Sequence, residues 1–155
     1  MCIDPLADRV LTCKQHTGSI RGHNHLMDVV ASLSRDSNIA PVRVNHKVST
    51  TGDGTCRQGD VEISNFPIPL RDGLVIDVSF VCEFKGSSHA PGGWSNGVRN
   101  TNDILQACAN VKNNKYKDVY GLVAFATAIV GMSGQIHVDF CWLLWVLADK
   151  KMRGN

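Results

Sequence analysis

The stretch Leu74-Val75-Ile76-Asp77-Val78-Ser79-Phe80-Val81-Cys82-Glu83-Phe84 decides how this sequence is read. Its β-branched and aromatic residues make it the clearest strand in the chain. Side chains alternate across a strand, so Ile76, Val78, Phe80 and Cys82 share one face while Asp77, Ser79, Val81 and Glu83 share the other. The first set belongs on a core. The second puts a carboxylate in the middle of a strand face, a placement that needs a reason.

Upstream of that strand, Pro67, Pro69 and Asp72-Gly73 break the chain, and residues 60–66 (DVEISNF) read as a second strand. Thr51-Gly52-Asp53-Gly54 is a turn, and residues 41–49 alternate Val42, Val44 and Val48 with polar neighbours, as a half-solvated strand does. Residues 23–35 place Leu26, Val29, Val30 and Leu33 at i, i+3, i+4 and i+7, the stripe of an amphipathic helix. Residues 1–22 are polar and read as an irregular N-terminal segment.

Downstream, residues 86–100 are rich in Gly, Ser, Asn and Pro and read as a loop. A helix is expected over about 102–118, capped by Asn102 or Asp103. Leu122–Val130 reads as a further strand, with a buried helix as the alternative. Gly131-Met132-Ser133-Gly134 is a turn. The last helix, roughly 136–151, gathers Ile136, Phe140, Leu143, Leu144 and Leu147 on one side and ends in Lys150-Lys151, which suits its negative dipole end. The order helix, strands, helix, strand, helix predicts an α/β fold, a mixed central sheet flanked by helices.

Composition sets wide bounds. A chain of 155 residues with 43% hydrophobic and 19% charged residues has the balance of one globular domain, not of a disordered chain. The net charge of +2 neither marks nor excludes a nucleic-acid partner. No run reaches the length of a membrane span, and the N-terminus lacks the apolar core of a secretion signal. The six cysteines form no CxxC pair, and several, such as Cys82 and Cys141, sit in apolar stretches. They read as buried thiols in a reducing, intracellular setting.

The candidate chemistry centres on two acids. Asp60 opens one expected strand and Asp77 lies inside the next, so strand pairing can bring them side by side. Two such carboxylates can hold Mg²⁺ or Mn²⁺, hard cations that prefer oxygen. A lysine nearby would orient water or stabilise developing charge. Lys112 and Lys115 lie three apart on the expected helix, and Glu83-Phe84-Lys85 offers literal E-x-K spacing. By spacing alone a structural role outranks a catalytic one: Asp60 as a strand-end residue, Asp77 as a buried and satisfied acid, the lysines as a solvated face. Arg21, His23, Asn24 and His25 form a polar cluster at the expected helix start, suited to phosphate or simply to helix initiation. Cys2, Cys13, His16 and His23 or His25 have zinc-ligand chemistry, as in a small Cys/His module, but their irregular spacing argues against bound zinc.

Taken together, several of these stretches resemble one family. DPLADRVLTCKQHTGSIRGHNH (4–25), QGDVEI (58–63), LVIDVSF (74–80), KNNKY (112–116), AFATAIVGMSGQIH (124–137) and WLLWVLADK (142–150) occur in the order of the tail domain that follows the reverse transcriptase in non-LTR retrotransposons. The resemblance divides the chain into a degenerate Cys/His knuckle segment, 1–22, and an endonuclease-like domain, 23–155. It implies a restriction-endonuclease-like PD-(D/E)xK fold that nicks DNA with a divalent metal. Asp60 and Asp77 would be the metal-binding acids, and Lys112 or Lys115 the catalytic lysine, supplied downstream because Ser79 stands in the usual lysine position. His23 and Asn24 would match an upstream polar motif, and Tyr116 would be an accessory residue. DNA, the RNA of a parent element and a nuclear location follow from the resemblance alone. Gly59 in place of proline and Asp8 in place of a knuckle histidine depart from the pattern. The alternative is a catalytically inactive remnant that binds nucleic acid weakly.

Overall fold

A computed structural model describes residues 17–37, 41–49, 56–81, 101–116, 119–120, 122–131 and 133–153. Helix α1 spans Thr17–Asp36, followed by strands β1 (Val42–Ser49), β2 (Cys56–Ser64) and β3 (Gly73–Val81). Helix α2 (Thr101–Tyr116), strand β4 (Val123–Gly131) and helix α3 (Val138–Arg153) complete the order. The strands form one sheet in the order β1-β2-β3-β4. The first two pairings are antiparallel and β3–β4 is parallel, which makes this the expected mixed α/β architecture.

Helices cover both faces of the sheet. On one, Met27, Val30 and Ala31 of α1 and Phe140, Leu143 and Leu147 of α3 pack with Val61, Ile63, Leu74, Ile76, Val78 and Ala128. On the other, Leu105 and Ala109 of α2 meet Ile129, while Tyr116 and Tyr120 meet Val75 and Phe125. This second layer corrects the expected one-sided burial of β3. Val75 and Ser79 are buried on the supposed solvent face, and Phe80, expected in the core, is 39% exposed. The connection from β3 to a parallel β4 runs through α2, and such a crossover helix packs back onto the sheet.

The hairpin between β2 and β3 is drawn tight at its closed end. A Cβ on Gly73 would stand 2.7 Å from the Ile63 carbonyl oxygen, so only glycine fits where the two backbones meet.

Three boundaries differ from expectation. Helix α1 starts at Thr17, six residues before the expected start at 23, and runs through Gly18 and Gly22 despite glycine's weak helix propensity. Its buried stripe is Met27, Val30, Ala31 and Ser34; Val29 and Leu33 are each 37% exposed. Ser34 fits in that stripe by donating its hydroxyl to the Val30 carbonyl at 2.7 Å. Asn102 and Asp103 do not precede α2 but lie in its first turn, where the Asn102 Oδ1 accepts from the Gln135 side-chain amide.

The start of α3 is set by His137, which is 4% exposed. Its Nδ1 accepts from the Asp139 backbone N–H at 3.3 Å, a capping bond, and its Nε2 lies 3.2 Å from Gln106 Oε1. Cys141 is exposed, correcting its reading as a buried thiol. The turn at 51–54, the loop at 86–100, Lys85, Cys2, Cys13, His16 and Cys82 lie outside the described residues. Among the described residues, no helix is long and apolar enough to cross a membrane.

Candidate functional site

Strand β3 is paired with β4 along its whole length, from Gly73↔Val123 to Val81↔Gly131. Its pairing with β2 covers only Ser64↔Gly73 through Val61↔Ile76. Beyond Val61, β2 continues with β1 instead, and the two strands part like a fork. Buried backbone N–H groups need acceptors, so a split ladder must recruit them from side chains. Asp60, the first residue past the split, does this: its Oδ2 accepts the Val78 N–H at 2.7 Å.

The β1 side of Asp60 is also interrupted. Val44↔Val61 and His46↔Gly59 are paired, whereas Asn45, between them, has a positive φ of 52°. Asparagine tolerates that conformation better than most residues. The local break leaves the Asp60 side chain directed across to β3 and not along the β1 ladder. Gly59 matters for the same approach, since a Cβ there would stand 2.7 Å from Val75 Cγ1, inside the packed core.

The fork opens into a cleft of about 440 Å³. Its ionisable lining comes from four separate places in the chain: His23, Asp60, Asp77 and Lys112. Asp77 does not point into the apolar core. Its Oδ2 accepts from the Lys112 ammonium and, at 3.4 Å, from the Ser79 hydroxyl. The Asp77 and Lys112 side chains are each 24% exposed, partly shielded yet reached by water. On the other wall, His23 Nε2 stands 3.4 Å from Asp60 Oδ2, while its Nδ1 lies 3.4 Å from Asn24 Oδ1. Ile20, Val78, Ser79 and Phe80 complete the lining.

Helix α2 positions Lys112 by burying the rest of the same side. Leu105 and Ala109 are fully buried, and half-buried Cys108 sits one turn before Lys112. Burial pushes the Cys108 thiol above its ordinary pKa; the Lys112 charge opposes that shift and the Asp77 charge adds to it.

The sequence candidates separate into two groups. Asp60, Asp77, Lys112 and His23 converge in the cleft. Lys115 does not: it is exposed, with its ammonium 4.9 Å from the Tyr116 ring centroid. The two lysines are only about 60° apart around the helix, and it is the Tyr116 ring beneath Lys115, not the helical spacing, that accompanies their divergence. Tyr116 packs against Phe125 with ring centroids 5.6 Å apart, so it belongs to the core beneath α2. Arg21, Asn24 and His25 are exposed on α1 and do not line the cleft. With α1 starting at Thr17, they also stand too deep in the helix to share the free N–H groups of its first turn.

Sequence reasoning missed the walls of the cleft. Ile20 was assigned to irregular chain, and Phe80 to the core by alternation. The signal that could have found Phe80 is its place after Asp77, where β3 loses its pairing with β2, and where that pairing stops is not written in local sequence.

The donor set suits a small hard cation. Among the described residues, no group of three or more His, Cys, Asp or Glu side chains is arranged around a metal. Mg²⁺, however, keeps several waters and commonly takes one or two carboxylates. The Oδ1 atoms of Asp60 and Asp77 carry no hydrogen bond within the described residues, which leaves one oxygen on each acid for that purpose. A comparison with protein families and with curated proteins finds no match to this chain.

Proposed function

We propose that this chain is a metal-dependent phosphodiester hydrolase, an endonuclease-like domain of the PD-(D/E)xK type that nicks DNA. The observation that carries the reading is the meeting of Asp60, Asp77 and the Lys112 ammonium in one water-accessible cleft at the strand fork. The three come from β2, β3 and α2, and packing the core alone does not require two acids and a lysine there. The resemblance to the retrotransposon tail domain points to the same two acids, to Lys112 or Lys115, and to a restriction-endonuclease-like form of the α/β fold.

The roles follow from chemistry. Asp60 and Asp77 would hold Mg²⁺ or Mn²⁺ through their remaining oxygens. Such an ion supplies an activated water and neutralises charge on a scissile phosphate. Lys112 holds Asp77 in place and presents a fixed positive charge where a phosphate oxygen gathers charge during hydrolysis. His23 pairs with Asp60 and keeps that carboxylate oriented. Ser79 donates to Asp77 and, two residues beyond it on the same strand face, is itself small, so the lysine can arrive from α2.

Plasmid nicking by the purified protein in Mg²⁺ or Mn²⁺, beside Asp77→Ala, tests the reading. Nicking by the wild type, lost in the variant and with chelator, is the expected result. A folded wild-type protein that nicks nothing overturns it and leaves a catalytically inactive remnant. Binding by that remnant would weaken steeply with salt and show little sequence preference.

A further inference from the structure

The phosphodiester reading accounts for the charged lining of the cleft but not for its apolar wall. Phe80 is 39% exposed and Ile20 57% exposed, both beside the acids and the lysine. Phe80 is also seated in an unusual way. Its Cδ1, Cε1 and Cγ lie 3.6, 3.8 and 3.9 Å from where a Cβ on Gly22 would be. Three ring atoms at nearly one distance place that point over the face of the ring, so one π-face is turned toward α1 at Gly22. That π-face is therefore backed by the helix, while the residue as a whole stays 39% exposed in the lining of the cleft.

We infer that the Phe80 ring is a stacking platform for a nucleobase whose neighbour has been removed, so that the cleft takes an unpaired or displaced nucleotide and not an intact duplex step. The inference rests on the phosphodiester reading and specifies its substrate. Phe80 is three residues beyond Asp77, roughly 10 Å along the strand. The cleft wraps round the edge of β3 where β2 has left it, so both strand faces contribute: Asp77 and Ser79 from one, Val78 and Phe80 from the other.

Size favours the same substrate. About 440 Å³ falls in the range of sites for small ligands. That is room for one nucleotide unit. In a duplex both faces of every internal base are covered by neighbours, so a protein ring can stack only on a base at an end, in a single strand or turned out of the helix. Such stacking tolerates any base, because every base has a π-face.

The test is binding in the presence of chelator, which makes it independent of cleavage. A single-stranded oligonucleotide carrying 2-aminopurine and its blunt duplex are titrated against wild type, Phe80→Leu and Phe80→Trp. Wild type is expected to prefer the single strand and to quench the probe. Phe80→Leu keeps apolar bulk without a π-face; it is expected to bind the single strand about tenfold more weakly, with duplex binding unchanged. Phe80→Trp is expected to retain both the preference and the quenching, which shows that the position tolerates change. Single-strand binding by Phe80→Leu equal to wild type overturns the inference, as does a parallel loss on both substrates, a wild-type preference for duplex, or no binding to either. Absence of nicking, by contrast, would overturn the hydrolase reading and leave this binding result standing.

Discussion

Residues 73–76 and 77–81 belong to the same strand, yet the first run is paired on both sides and the second, among the described residues, on the β4 side only. Leu74, Val75 and Ile76 are buried almost completely between two helical layers. Asp77 and Phe80, a few residues on, keep water contact. Where the ladder is complete, the backbone satisfies itself and side chains are free to be apolar. Where it splits, N–H groups need other acceptors, water enters, and carboxylates become tolerable. The candidate site lies where the sheet runs out of its own hydrogen bonds.

The closed half should respond only through stability. Ile76→Ala removes a fully buried side chain from the middle of the paired run and is expected to destabilise by about 2–5 kcal/mol in urea unfolding. A loss under about 1 kcal/mol would mean that the core there repacks easily, and the contrast between the halves would weaken.

The open half should respond through activity. Lys112→Ala is expected to slow nicking by about 10²–10³-fold while leaving the protein folded, the scale of removing one fixed stabilising charge. Lys115→Ala is expected to leave the rate unchanged, because its ammonium sits over Tyr116 and away from the cleft. Equal losses in both variants would show that the helix face matters as a whole and not through one residue.

Asp60, on β2, clasps the open half of β3, and its loss gives a smaller expected change in stability than that of Ile76. Asp60→Ala leaves the Val78 N–H without its acceptor, so a stability loss of about 1–3 kcal/mol should accompany loss of nicking. Asp77→Ala leaves every backbone bond in place and should keep a melting temperature close to wild type. Equal melting temperatures for the two variants would remove the assignment of Asp60 as the clasp of the fork.

Much of this was readable from residue order. Val, Ile and Phe at alternating positions marked β3, the Pro67, Pro69 and Asp72-Gly73 breaks separated it from β2, and Asp77 stood out because strand interiors seldom hold an acid, with Asp60 at the head of the neighbouring run. The stripe on α1 was less legible. Met27, Ala31 and Ser34 form the buried face, but Ser34 scores as polar until its bond to the Val30 carbonyl is seen. The start of α1 at Thr17 was hidden by two glycines, Gly18 and Gly22, which read locally as a break.

The sequence by itself determined the class of fold, the identities of Asp60 and Asp77, and a short list of lysines, because period and residue type are local properties. It did not determine that Lys112 and not Lys115 reaches Asp77, that Tyr116 is core, that Phe80 is exposed, or that β2 leaves β3 at Asp60. Each of those depends on which residues, distant in the chain, share one small volume. That is decided by helices packing on both sides of a sheet and by where strand pairing stops.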